Sequence, residues 1–226
     1  LERAHEGLVT DVAGEVLETL EQWHAAGERV LLVALPRPGA LQGMPSVSPD
    51  ARGVALDVGE CVIAPTVGGL LVPVVSGFGP AGDEGRLVTW TAYEAAPVSR
   101  HTIEALDPRE LTRDLAEAVR AATEELEAAG GLPWHPREAT PHPSPPGRAL
   151  PPSMTPRELL LLDRACAVLD LAEAGLAAEL HQPALDAGSS QRRQLALRTL
   201  ATRAAHVLAG AANVAALAQG CSSTER

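Results

Sequence analysis

The amino-acid sequence predicts an α+β fold: an antiparallel β-meander flanked by helices, then a proline-rich strap, then a C-terminal antiparallel α-helical hairpin. Three observations predict it. Apolar residues recur at steps of three and four up to Gly27, and the period changes to two between residues 53 and 94. Residues 132–154 are dense in proline and hold no regular period. From residue 155 onward, two long segments each present a broad apolar side at helical spacing. The expected domains are a sheet domain over 1–131, an ordered strap over 132–154 and a helical hairpin over 155–220.

Residues 2–27 read as one amphipathic helix, with Leu8, Val9, Val12, Val16, Leu20 and Trp23 on its stripe and Gly27 as its stop. The run 29–36, RVLLVALP, is a short buried strand bounded by Pro36, and the turn formers of 37–53 make a loop. Two runs, 53–67 and 70–75, read as strands joined at Gly68-Gly69, because glycine accepts the positive φ of a tight hairpin. Pro73 lacks an amide hydrogen and asks for an edge position or a bulge. In 86–94, Val88, Trp90 and Ala92 alternate with Leu87, Thr89, Thr91 and Tyr93, the pattern of a sheet with one face covered and the other partly wet.

Asp107-Pro108-Arg109-Glu110 supplies a cap, a first-turn proline and a capping acid, so a helix runs through Leu111, Leu115, Val119, Ala122 and Leu126 to Gly130-Gly131. Thr155-Pro156-Arg157-Glu158 opens the next helix in the same way. The residues that follow the two starts diverge, so they are not a repeat. Segments 156–181 and 191–219 form the helical hairpin, with 182–190 between them.

The charge balance is 18 − 29 = −11, and every basic residue is arginine. An acidic surface repels phosphate backbones and anionic headgroups, so neither nucleic acid nor a membrane is expected as a partner. Arg192, Arg193, Arg198 and Arg203 read as one solvated helix face. No run approaches the roughly 18 consecutive apolar residues of a membrane span, and no charged-then-apolar leader opens the chain. Cys61, Cys166 and Cys221 are too scattered for a disulfide framework or a zinc site, which points to a reduced, cytoplasmic setting.

Gly77, Gly79 and Gly82 fit the spacing of a dinucleotide-binding fingerprint. That chemistry needs a helix at the glycine turn, whereas here Asp83, Glu84 and a strand follow, so the stretch reads as a β–β connection. Ser99, Arg100 and His101, with Asp107 nearby, form the most chemically suggestive cluster, placed just past the last strand. Neighbours on one loop rarely adopt triad geometry, so no catalytic residue is assigned. His135 and His142 lack further ligands at metal spacing, His181 suits a helix C-terminus, and His206 reads as a core or interface histidine. No cofactor or metal is expected.

The expected function is a non-enzymatic protein-binding or assembly module, a homodimer joined through the helical hairpin at Leu197, Leu200, Ala204, Val207, Leu208 and Ala211. The alternative is a small-ligand sensor or an enzyme whose pocket lies between sheet and helices, with Ser99, Arg100 and His101 at its mouth.

Overall fold

The computed structural model describes residues 8–9, 13–80, 85–130, 154–179 and 187–224. The proline-rich strap and His135, His142 and His181 lie outside the described residues. The described residues divide into two compact units: 8–106 with 212–224, and 107–130 with 154–179 and 187–211. The division falls at Leu106/Asp107 rather than at 131, so the helix after Asp107 groups with the C-terminal helices and not with the sheet.

In the first unit the fold is α+β, with a sheet ordered β1-β5-β4-β3-β2. Its strands are β1 (Leu8–Val9), β2 (Leu32–Ala34), β3 (Cys61–Ala64), β4 (Gly69–Phe78) and β5 (Gly85–Glu94). β2 to β5 form the expected antiparallel meander. β1 corrects the expectation of one long first helix: Leu8 and Val9 pair in parallel with Arg86 and Leu87, and α1 begins only at Ala13, running to Ala25. Trp23 on α1 packs against β4, where a Cβ at Gly69 would run into its indole.

A second correction concerns residues 49–58, split by sequence between a loop and a strand. They form a helix, α2 (Pro49–Val58). The Ser48 side chain accepts the Ala51 amide hydrogen at 3.2 Å, Pro49 occupies the first turn, and Gly59 stops the helix at φ 82°. Ala51 and Ala55, one turn apart, let α2 lie close against Leu32, Ala34, Cys61, Ile63, Leu70 and Val72, which are the core of this unit. The β3–β4 hairpin is present, but its loop is Pro65–Gly68, with Gly68 at φ 81°.

Two buried polar side chains fasten this unit. Glu28 accepts hydrogen bonds from the Thr66 amide (2.7 Å), the Val67 amide (3.2 Å) and the Thr66 hydroxyl (3.1 Å), tying the β3–β4 loop to the end of α1. Asn213 accepts from the Val33 amide at 2.7 Å and donates to the Val33 carbonyl at 2.9 Å. An amide side chain carries the same donor and acceptor as a peptide, so Asn213 caps the outer edge of β2 as one residue of a strand would.

The second unit holds α4 (Pro108–Ala129), α5 (Pro156–Glu179) and α6 as far as Ala211; α6 as a whole is Ala187–Thr224, starting four residues earlier than expected. Between the units' principal elements in the sequence lies the short α3 (Arg100–Glu104). Asp107 caps α4 by accepting from the Arg109 amide at 2.8 Å. Thr155 and Glu158 form a reciprocal capping box at the start of α5, with contacts of 2.7 and 3.3 Å. Glycines permit the close approaches: Leu111 lies against Gly210, and Leu197 against Gly175. Gly188–Gln219 of α6 is long and apolar enough to cross a membrane by length and composition, and half of its apolar 18-residue window is buried by the chain's own atoms.

Candidate functional site

Ser99, Arg100 and His101 are all exposed. The Ser99 hydroxyl N-caps α3, accepting from the Thr102 amide at 3.2 Å and lying 2.7 Å from the Thr102 hydroxyl. Asp107 is engaged in capping α4. Local helix termini therefore account for Ser99 and Asp107, and the cavity described below lies elsewhere. The glycine-rich stretch lies between two antiparallel strands: Gly77 pairs with Arg86 and Phe78 with Gly85, while Gly82 lies outside the described residues.

The residues expected to form an oligomer interface are mostly consumed inside one chain. Leu197, Leu200, Ala204, Val207 and Ala211 are buried, and Leu208 is half-buried. Their cover comes from the neighbouring helices, as Leu111 on Gly210 and Gly175 on Leu197 illustrate. The apolar side of this stretch thus faces largely into its own unit, and Leu200 is the one of these residues that also borders the outward face of α6.

That outward face forms a groove with α4, a cavity of about 490 Å³. The two helices run antiparallel here, since Leu111 meets Gly210 at one end and the Arg193 guanidinium donates to the Gly130 carbonyl at the other (3.1 Å). Asp114, Glu117 and Glu125 line the α4 side, and Arg192 and Arg203 line the α6 side. The floor is Ala122, Ala196 and Leu200, all buried, while Leu195 at the lip is 64% exposed. Among the described residues no ion pair joins the acidic row to the arginine row. Glu117 is instead paired along its own helix with Arg120, at 2.7 Å.

The spacing explains this arrangement. Asp114, Glu117, Ala121 and Glu125 recur at three- and four-residue steps on α4, as do Arg192, Leu195, Thr199 and Arg203 on α6. Each set is one stripe about three turns long, and the antiparallel helices bring the stripes side by side. Taken on α6 alone these arginines read as a solvated face; their period matched against the acids of α4 is the signal of the groove. His206 lies half-buried just beyond. Burial lowers its pKa first, the Arg203 guanidinium lowers it further, and Asp114 opposes both.

Among the described residues, no group of three or more His, Cys, Asp or Glu side chains is placed to hold a metal. Cys61 is buried beside the Ala34 carbonyl, and burial pushes its thiol up to about 12. The groove holds carboxylates, guanidiniums and small apolar groups.

Residues 2–105 match the family described as Rv1486c-like protein, N-terminal domain, and residues 109–206 match Rv1486c-like protein, C-terminal domain. The chain carries both domains in order and belongs to the Rv1486c-like family. The join between the two matches coincides with the division of the chain at Leu106/Asp107. No curated protein and no solved structure matches the chain.

Proposed function

We propose that this member of the Rv1486c-like family is a non-enzymatic binding and assembly module, working in a reduced, cytoplasmic setting and forming a homodimer through its helical unit. The observation that carries the reading is the α4/α6 groove, with its small apolar floor, its exposed Leu195 and its two opposed charged rows. A two-fold axis running along the groove sets each α4 over the partner's α6, acids facing arginines. A two-fold across the helices would set acids on acids and arginines on arginines. Charge favours the first arrangement. Exposed ion pairs are worth only about 0–1 kcal/mol each, so the rims select the register and the burial of Leu195 with its alanine neighbours supplies affinity.

Native mass by light scattering tests this. Arg192→Glu with Arg203→Glu should lower the mass, and adding Asp114→Arg with Glu125→Arg to the same chain should restore it. A mass unmoved by the first pair of substitutions refutes the helical interface.

The cavity volume favours one other reading, a small-ligand sensor, since it falls within the roughly 300–1,000 Å³ of ligand sites. Its location is then this groove, not the Ser99–His101 loop. A compound that raises Tm, and loses the effect when Ala121→Trp fills the groove, would support it.

A further inference from the structure

Backbone alternation identifies a second surface, in the sheet unit. Val33 turns its N–H and C=O outward to Asn213, at the free side of β2. Successive residues of a strand turn these groups to opposite sides. Leu32 and Ala34 therefore face β3, and their partners Ile63 and Cys61 face back. Val62 then faces β4 and meets Leu71. Continuing along β4, Val72, Val74, Ser76 and Phe78 turn to β5, which pairs with them without a break. Pro73, Val75 and Gly77 turn to the other side, where β3 has ended, since its last paired residue on β4 is Leu71. Among the described residues, the N–H and C=O of Val75 and Gly77 thus form an open edge.

That edge is apolar. Val74, Val75 and Phe78, the last being the chain's one phenylalanine, are large exposed hydrophobic residues; Val75 is 50% and Phe78 47% exposed. The stretch 70–80 contains no charged residue in a chain of net charge −11, so two copies can approach there without repulsion. Exposed strand edges are ordinarily blunted by charge, and within the stretch 70–80 this one is blunted by Pro73, at its inner end.

We propose that the open edge of β4 pairs antiparallel with the same edge of a second copy, continuing the sheet across a two-fold axis at Ser76. In this register Val75 lies opposite the partner's Gly77, and the reverse, giving four backbone hydrogen bonds. Pro73 falls outside the ladder and its missing amide hydrogen costs nothing. Val74 lies opposite the partner's Phe78 on the α2 side of the sheet, an aromatic–β-branched pair formed twice. On the other side glycine opposite Val75 leaves room for it. The surface lies in the sheet unit and the α4/α6 groove in the helical unit, so each can be disrupted by its own substitutions.

Val75→Pro tests the pairing selectively. It deletes an amide hydrogen that the β4–β5 ladder does not use, in the orientation the strand already accepts at Pro73. The substitution should reduce the Arg192→Glu/Arg203→Glu chain to a monomer, with circular dichroism unchanged. Ser76→Cys, with Cys166 and Cys221 replaced by serine, should cross-link to itself on oxidation, because non-hydrogen-bonded antiparallel pairs bring Cα atoms to about 4.5 Å. Arg86→Cys, on the neighbouring strand, should not cross-link. An unchanged mass on adding Val75→Pro to the Arg192→Glu/Arg203→Glu chain overturns the inference, as does a Ser76→Cys chain that stays monomeric on oxidised gels. Loss of mass with the arginine pair but not with Val75→Pro leaves the helical reading standing and removes this one.

Discussion

Asn213 makes the sharpest stability prediction. It is 9% exposed and spends both halves of its amide on the Val33 backbone, at 2.7 and 2.9 Å. Asn213→Ala removes two hydrogen bonds, each worth about 0.5–1.5 kcal/mol net, and strands a donor and an acceptor that water reaches only in part. The expected loss is about 2 kcal/mol, moving toward about 4 kcal/mol if no water enters the gap. With a urea slope of about 2–3 kcal/mol/M, the midpoint should fall by about 1 M. The fluorescence of Trp23 and Trp90, both in the sheet unit, is the signal to follow.

Asn213→Asp separates hydrogen bonding from packing, because its shape is nearly unchanged. An ionised carboxylate still accepts from the Val33 amide but faces the Val33 carbonyl with a second oxygen. The protonated acid can donate to that carbonyl, so folding raises the pKa of the introduced group. The folded state then binds more protons than the unfolded one, and stability falls as pH rises. Asn213→Asp should therefore approach wild type below the usual carboxylate range and resemble Asn213→Ala at pH 7. If Asn213→Ala lies within 0.5 kcal/mol of wild type, or Asn213→Asp shows no excess pH dependence, the amide does not cap β2.

Glu28→Ala should cost about 2–4 kcal/mol in the same assay, since three donors from Thr66 and Val67 lose a charged acceptor. Cys61, with its thiol pushed up to about 12, should stay unmodified by alkylating reagents at pH 8 until urea unfolds the sheet, as peptide mass mapping would show. His206 titrates below its ordinary value, so the unfolded chain takes the proton first and stability should decline as pH falls through about 6.5, levelling below the folded pKa. Arg203→Glu removes one cause of that depression, and the imidazole pKa measured by NMR should rise.

The periodicities that were legible in the sequence are those set by neighbours along the chain. The meander, the two glycine-marked stops and the helices opening at Asp107 and Thr155 all follow from such local rules. α2 escaped because Val54, Leu56 and Val58 alternate as a strand would. The decisive features were its ends, Ser48-Pro49 and Gly59, and the Ala51/Ala55 pair that fits beneath it. β1 is two residues long and carries no periodicity of its own. Burial of the expected interface residues depended on which helix covers which. Nothing within α6 tells a leucine facing α5 from one facing a second copy. The charged groove was readable only by comparing two stripes some 80 residues apart in the chain.

The treatment of edges in the sheet unit bears on function. β2 is the outermost strand on one side, and Asn213 occupies its bonding groups. On the other side β1 covers β5 at Arg86 and Leu87. An amide placed 180 residues away in sequence to satisfy one valine shows that an exposed ladder matters here. Beyond Leu71, no strand among the described residues lies beside Val75 and Gly77, and the sheet sets Val74 and Phe78 there instead of acids or arginines. Charge would have closed this edge most simply, in a chain with 29 acidic and 18 basic residues to draw on. The contrast between a plugged edge and an uncharged one on a single sheet is what a surface kept for pairing requires.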